Sequence, residues 1–190
     1  TVTLKVEPKQ LTGLGISGLD STWVYGETKT PTATGVDDLG ADGYEIIYSK
    51  KDSSGNYANI GNKLPTLVGK YKATLSVKNP NYTANEASVN FEITPITTEV
   101  KVKSYDAEFT YDGTEHTKNN YDVLWANNAS PITDKKLPNG DLVTAEITGK
   151  VKDVKDTKIE NNTIGKITIT NAEGVDVTNC YSNKVKAAGK

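Results

Sequence analysis

Apolar and polar residues alternate along this chain in short runs. Val2, Leu4 and Val6 are spaced by Thr3 and Lys5, with Glu7 closing the run, and Tyr71, Ala73, Leu75 and Val77 by Lys72, Thr74 and Ser76. Val89, Phe91 and Ile93 lie opposite Asn90 and Glu92. The second half repeats the habit with Val100 and Val102, with Val143, Ala145 and Ile147, and with Ile167 and Ile169. Successive side chains on an extended backbone point to opposite faces, so each run predicts a strand with one face on a core. Turn-forming pairs separate the runs at Gly55-Asn56, Asn79-Pro80, Asp112-Gly113, Asn139-Gly140 and Glu173-Gly174. No window of helical length carries a 3.6-residue apolar stripe, so helix is expected to be scarce.

One alternating strand ends at Ile93-Thr94, Pro95 removes a ladder donor, and a second strand begins almost at once. This places a domain boundary there. The 190 residues then divide into two parts, each close to the ~100 residues of an immunoglobulin-type sandwich. So short a connection predicts limited hinge freedom and modules stacked end to end. The halves also echo one another: Trp23-Val24-Tyr25-Gly26 in the first matches Phe109-Thr110-Tyr111-Asp112-Gly113 in the second. In both, the expected element is a strand that buries one ring, exposes the spacer, buries the tyrosine and reverses at glycine.

Composition narrows the function. All 22 basic residues are lysines and the formal charge is −2, so the arginine forks and positive field that nucleic-acid recognition uses are missing. No run of about 18 apolar residues predicts a membrane-spanning helix. The single Cys180 has no internal disulfide partner. With no methionine and a first residue already in a strand-like pattern, the chain reads as a fragment of something longer.

The same residues carry a family resemblance. Trp23-Val24-Tyr25-Gly26, Pro31, Gly69-Lys70-Tyr71-Lys72-Ala73, Asn81-Tyr82 and Phe91-Glu92-Ile93 resemble the MBG-type immunoglobulin-like repeats of bacterial surface proteins. Tyr111-Asp112-Gly113-Thr114, Leu137 to Asp141, Asn161-Asn162-Thr163-Ile164 and Asp176 to Tyr181 resemble a related, YDG-type repeat. Cys180 and the polar stretch from Asn127 to Lys136 depart from the pattern. The resemblance implies an all-β chain of two tandem immunoglobulin-like β-sandwiches, residues 1–94 and 95–190. It also implies an extracellular or cell-wall location in a bacterium, and a non-enzymatic stalk or spacer whose partners are neighbouring repeats. It brings no catalytic, metal or cofactor residues with it.

The candidate chemistry is sparse. His116 is the only histidine and follows a predicted turn, where a solvated turn residue is the plain reading beside a triad or metal ligand. Cys180 reads as a buried small residue near the last strand rather than a nucleophile. Asp153, Asp156, Glu160, Asn161 and Asn162, and likewise Asn171, Glu173 and Asp176, could offer oxygen ligands to calcium, but they lack the spacing of a calcium loop and equally suit metal-free turns. Lys101 or Lys103 with Asn179 or Asn183 has the chain order of an isopeptide crosslink, although the alternation puts both lysines on the polar face. A rival to the spacer reading is an adhesin-type module that binds a glycan or host protein through exposed aromatics, Trp125 and Tyr121 foremost. In a sandwich the same rings also serve as core anchors, and their burial decides between the two.

Overall fold

The computed structural model describes residues 2–158 and 160–189. It is all-β and β-sandwich-like, 44% strand and 5% helical, and it divides into two compact units, Thr1–Thr94 and Pro95–Lys190.

The N-terminal unit holds β1 (Lys9–Leu11), β2 (Gly15–Ser17), β3 (Thr22–Val24), β4 (Thr32–Thr34), β5 (Tyr44–Lys51), β6 (Tyr57–Gly61), β7 (Gly69–Val77), β8 (Tyr82–Ala84) and β9 (Ala87–Thr94). Its main sheet runs in the order β3-β9-β7-β5-β6, with β3 parallel to β9 and the other neighbours antiparallel. The alternation seen in the sequence sets what this sheet buries: Tyr71, Ala73 and Leu75 on β7, Phe91 and Ile93 on β9. Phe91 is the hub. It stacks on Trp23 at 4.8 Å and on Tyr71 at 5.4 Å, and meets Tyr48 edge-on at 6.3 Å. The Tyr71 hydroxyl donates to the Leu67 carbonyl at 2.8 Å, so the ring keeps its polar tip satisfied while its body is buried.

The turns fall at the predicted positions. Asp52 accepts the backbone N–H groups of Ser54 and Asn56, closing the β5–β6 hairpin. Asn79 accepts from Asn81 in the same way. Trp23 is buried, Val24 exposed, Tyr25 buried, and Gly26 turns with φ of 91°, as the sequence predicts for this segment. The expected strand at Val2, Leu4 and Val6 does not form. Those side chains are 93–95% exposed, and the first strand is instead Lys9–Leu11, paired in parallel with β8. Alternation gives a segment an amphipathic face, but a strand also needs a free edge to pair with, and the register here selects Lys9–Leu11.

The C-terminal unit holds β10 (Val100–Ser104), β11 (His116–Thr117), β12 (Tyr121–Trp125), β13 (Leu142–Ile147), β14 (Lys150–Val151), β15 (Ile164–Thr170) and β16 (Lys184–Ala187). β10 lies between β12, antiparallel, and β16, parallel. β13 pairs with β15 and β11 with β14. Val100, Val102, Val123, Val143 and Ile169 are fully buried. Cys180 is buried as expected. Tyr181 is also fully buried, and its hydroxyl donates to the carboxylate of the buried Asp141 at 2.6 Å, pinning the Leu137–Asp141 turn to the core. Tyr181→Phe removes that donor and is expected to cost roughly 1.5–3 kcal/mol, the range for a hydrogen bond to a charged group. Chemical denaturation monitored by far-ultraviolet circular dichroism checks it.

Candidate functional site

The second aromatic motif behaves unlike the first. Phe109 and Tyr111 lie outside any strand and are 43% and 63% exposed, where the sequence echo of Trp23 and Tyr25 predicts buried rings. The reason is pairing: β3 adds Trp23 to the edge of β9, whereas no neighbouring strand pairs with residues 109–111. Phe109 packs instead on His116, ring centroids 4.6 Å apart and planes within 11°. His116 sits half-buried on β11 rather than in a solvated turn, with Nε2 3.0 Å from Asp112 Oδ1. Asp112 is the organiser of the turn. Its carboxylate accepts the hydroxyl of Thr114 and the Thr114 backbone N–H, and these bonds, with the neighbouring His116, hold its pKa down at about 2.

A cleft of about 420 Å³ opens beside these rings. Its walls come from 107–111 and 116–118, from 149–154, and from Thr157, Lys158, Asn161 and Asn162. The β11–β14 ladder joins 116–118 to 149–154 through His116↔Val151 and Thr117↔Lys150. A one-turn 3₁₀ helix, Val154–Asp156, follows; Asp156 accepts the N–H groups of Asp153 and Lys152 at 3.0 and 3.3 Å, and the first of these bonds leads in lowering its pKa. Val154, 79% exposed, stands on the same wall.

Asn162 closes the floor. It is buried, and its side-chain N–H₂ donates to the carbonyls of Tyr105 at 2.8 Å and Lys118 at 2.9 Å. Its backbone N–H donates to Gly189, the Ser104 hydroxyl donates to the Asn162 carbonyl, and the Gly189 N–H donates to Ser104 Oγ. Four segments distant in sequence meet at this clasp. The side-chain oxygen of Asn162 has no donor among the described residues. Gly149 lies against it so closely that a Cβ would sit 2.4 Å from Asn162 Cα and 2.6 Å from Oδ1, so glycine is required here for space.

The remaining candidate residues fall elsewhere. Trp125 and Tyr121 are half-buried on β12. Tyr121 accepts the Ala145 N–H at 3.3 Å, and the Lys135 ammonium lies 3.7 Å from its ring centre. Trp125 lines a separate recess with Ile132 and Pro138. Phe109 and Tyr111 are more exposed than either Tyr121 or Trp125. Asn171 and Asp176 are occupied in turns, Asn171 accepting from Glu173 and Val175, Asp176 from Thr178. Among the described residues no three His, Cys, Asp or Glu side chains converge as a metal site. Lys101 pairs with Glu99 at 3.0 Å, while Lys103, Asn179 and Asn183 are exposed, outside the apolar setting an isopeptide crosslink requires. Among the described residues no helix is long and apolar enough to cross a membrane. No protein-family model matches the chain, and no curated protein matches it either.

Proposed function

We propose that the chain is a non-enzymatic stalk or spacer piece of a bacterial surface or secreted protein, made of two immunoglobulin-like modules of MBG and YDG type that bear tension between the domains they join. The observation that carries this is the pairing of the first and last strands of the C-terminal unit. β10 and β16 run parallel, in register from Val100↔Lys184 to Lys103↔Ala187. The pairing extends upstream, where the Ile96 N–H donates to Cys180, the Ser182 N–H to Ile96 and the Val100 N–H to Asn183.

In a parallel pair, the entering end of one strand and the leaving end of the other lie at opposite ends of the ladder. Tension along the chain therefore slides β10 against β16 and loads their hydrogen bonds together, in shear. An antiparallel terminal pair would be peeled one bond at a time. Forced unfolding follows the unfolding barrier rather than equilibrium stability, so this geometry matters for a tether in a way that it does not for an enzyme scaffold.

Single-molecule pulling on the whole chain tests the reading. One handle is placed at the exposed Thr97 (Thr97→Cys), and the other either at the C-terminal end, which shears the ladder, or at the exposed Asn183 (Asn183→Cys), which peels it. Shearing is expected to require several times the force of peeling at the same loading rate. Equal forces in the two geometries would remove the basis for a load-bearing role.

A further inference from the structure

We propose that the cleft beside Phe109 and Tyr111 is a binding site for a saccharide carrying a carboxylate. The inference does not rest on the spacer reading, since a tether can carry a recognition site and a recognition module need not bear load. Three exposed apolar side chains, Phe109, Tyr111 and Val154, converge on one concavity. Single exposed apolar residues are ordinary, but several around a cleft mark a recognition surface. A volume of about 420 Å³ falls within the roughly 300–1,000 Å³ of small-ligand sites.

The lining chemistry selects the ligand. A pyranose ring has apolar C–H faces that lie flat against an aromatic ring, and a rim of hydroxyls that both donate and accept. Tyr111 and the Phe109–His116 stack supply the flat surface, and the stack holds Phe109 in place before anything binds. At the floor, Asn162 Oδ1 is a buried acceptor with no donor among the described residues. A peptide strand is a poorer fit, because strand addition needs a long free edge and the β11–β14 ladder is two residues long.

Charge completes the assignment. The walls carry four lysines (118, 150, 152 and 158) against two carboxylates, Glu108 and Asp153, a balance of 4 − 2 = +2 in a chain whose formal charge is −2. Lys150 is 3.1 Å from Glu115 and Lys158 already acts electrostatically on Asp156, but Lys118 and Lys152 have no ion pair among the described residues. A carboxylate on the sugar gives these ammonium groups a partner.

The test uses the full chain, isotopically labelled, titrated with uronate- and sialate-terminated oligosaccharides and with the carboxyl-reduced form of each. Backbone shifts confined to 107–118 and 149–162 are expected with at least one acidic sugar. Its reduced form should bind at least roughly tenfold more weakly, and Tyr111→Ala should weaken binding by a similar factor. Tyr111 is exposed and outside the strands, so the variant keeps its fold, verified by unchanged resonances elsewhere. The proposal is overturned if none of the acidic sugars shifts these residues. It also fails if the reduced sugars bind equally well, or if Tyr111→Ala binds as the parent does.

Discussion

Phe91→Ala is expected to destabilise the N-terminal unit by about 3–5 kcal/mol, the range for truncating a buried phenylalanine. The upper part of that range applies here. Phe91 is 3% exposed and contacts three aromatic rings, two of them stacked, and aromatic pairs contribute about 0.5–1.5 kcal/mol beyond the area they bury. The space left behind cannot readily collapse, because β9 is held on one side by β7 over seven paired residues and on the other by β3. A unit of 94 residues has a total stability of only about 5–14 kcal/mol, so this one change removes a large share of it. Trp23 stacks on Phe91 and reports directly. Urea denaturation followed by its fluorescence, in a Trp125→Phe background, should show the midpoint falling sharply with an unchanged slope. A loss below about 1 kcal/mol would mean that the Phe91 cluster is not the core.

The residues behind that prediction were legible in the sequence, and those behind the cleft were not. Tyr71, Ala73, Leu75, Phe91 and Ile93 announce their burial because a strand with one face on a core has a period of two, and β7 and β9 lie close in sequence and pair in space. Turn positions were equally readable, since side chains such as that of Asn79 act on the backbone a few residues away. Long-range pairing is what alternation cannot encode. Val2, Leu4 and Val6 have the pattern without a partner strand. Phe109-Thr110-Tyr111 has nearly the composition of Trp23-Val24-Tyr25, yet it lies free of any ladder and exposes its rings. The sequence points to Trp125 and Tyr121 as recognition aromatics because tryptophan and tyrosine are enriched at such surfaces, and on β12 both are half-buried. Nothing local in Asn161-Asn162 reveals that Asn162 joins segments up to 58 residues upstream, because its partners are backbone carbonyls and any sequence supplies those. The faint signal is Gly149: a glycine outside a tight turn implies a close approach, although not by what.

Asn162→Asp is expected to cost the C-terminal unit about 3–5 kcal/mol at neutral pH, the range for leaving a buried charge without a partner. The substitution keeps the shape and changes only the donor. Where the amide N–H₂ reaches the carbonyls of Tyr105 and Lys118, a carboxylate oxygen faces two other oxygens. Desolvation and those carbonyls both disfavour the ionised form, so the folded-state pKa of the introduced acid rises above its unfolded value of about 4. Between the two values the folded state binds more protons than the unfolded, and stability therefore falls as pH rises through that window. Below about pH 4 the acid is neutral in both states. It can then donate to one of the two carbonyls, so most of the deficit is recovered. Asn162→Ala is the control: it also abandons both carbonyls, at about 1–3 kcal/mol each, but has nothing to titrate, so its deficit relative to the parent is independent of pH. Denaturation of all three proteins across the acid range, read through Trp125 in a Trp23→Phe background, separates these outcomes. A small Asn162→Asp deficit that runs parallel to the alanine variant at every pH would mean that the clasp is open to water and does not hold the floor of the cleft.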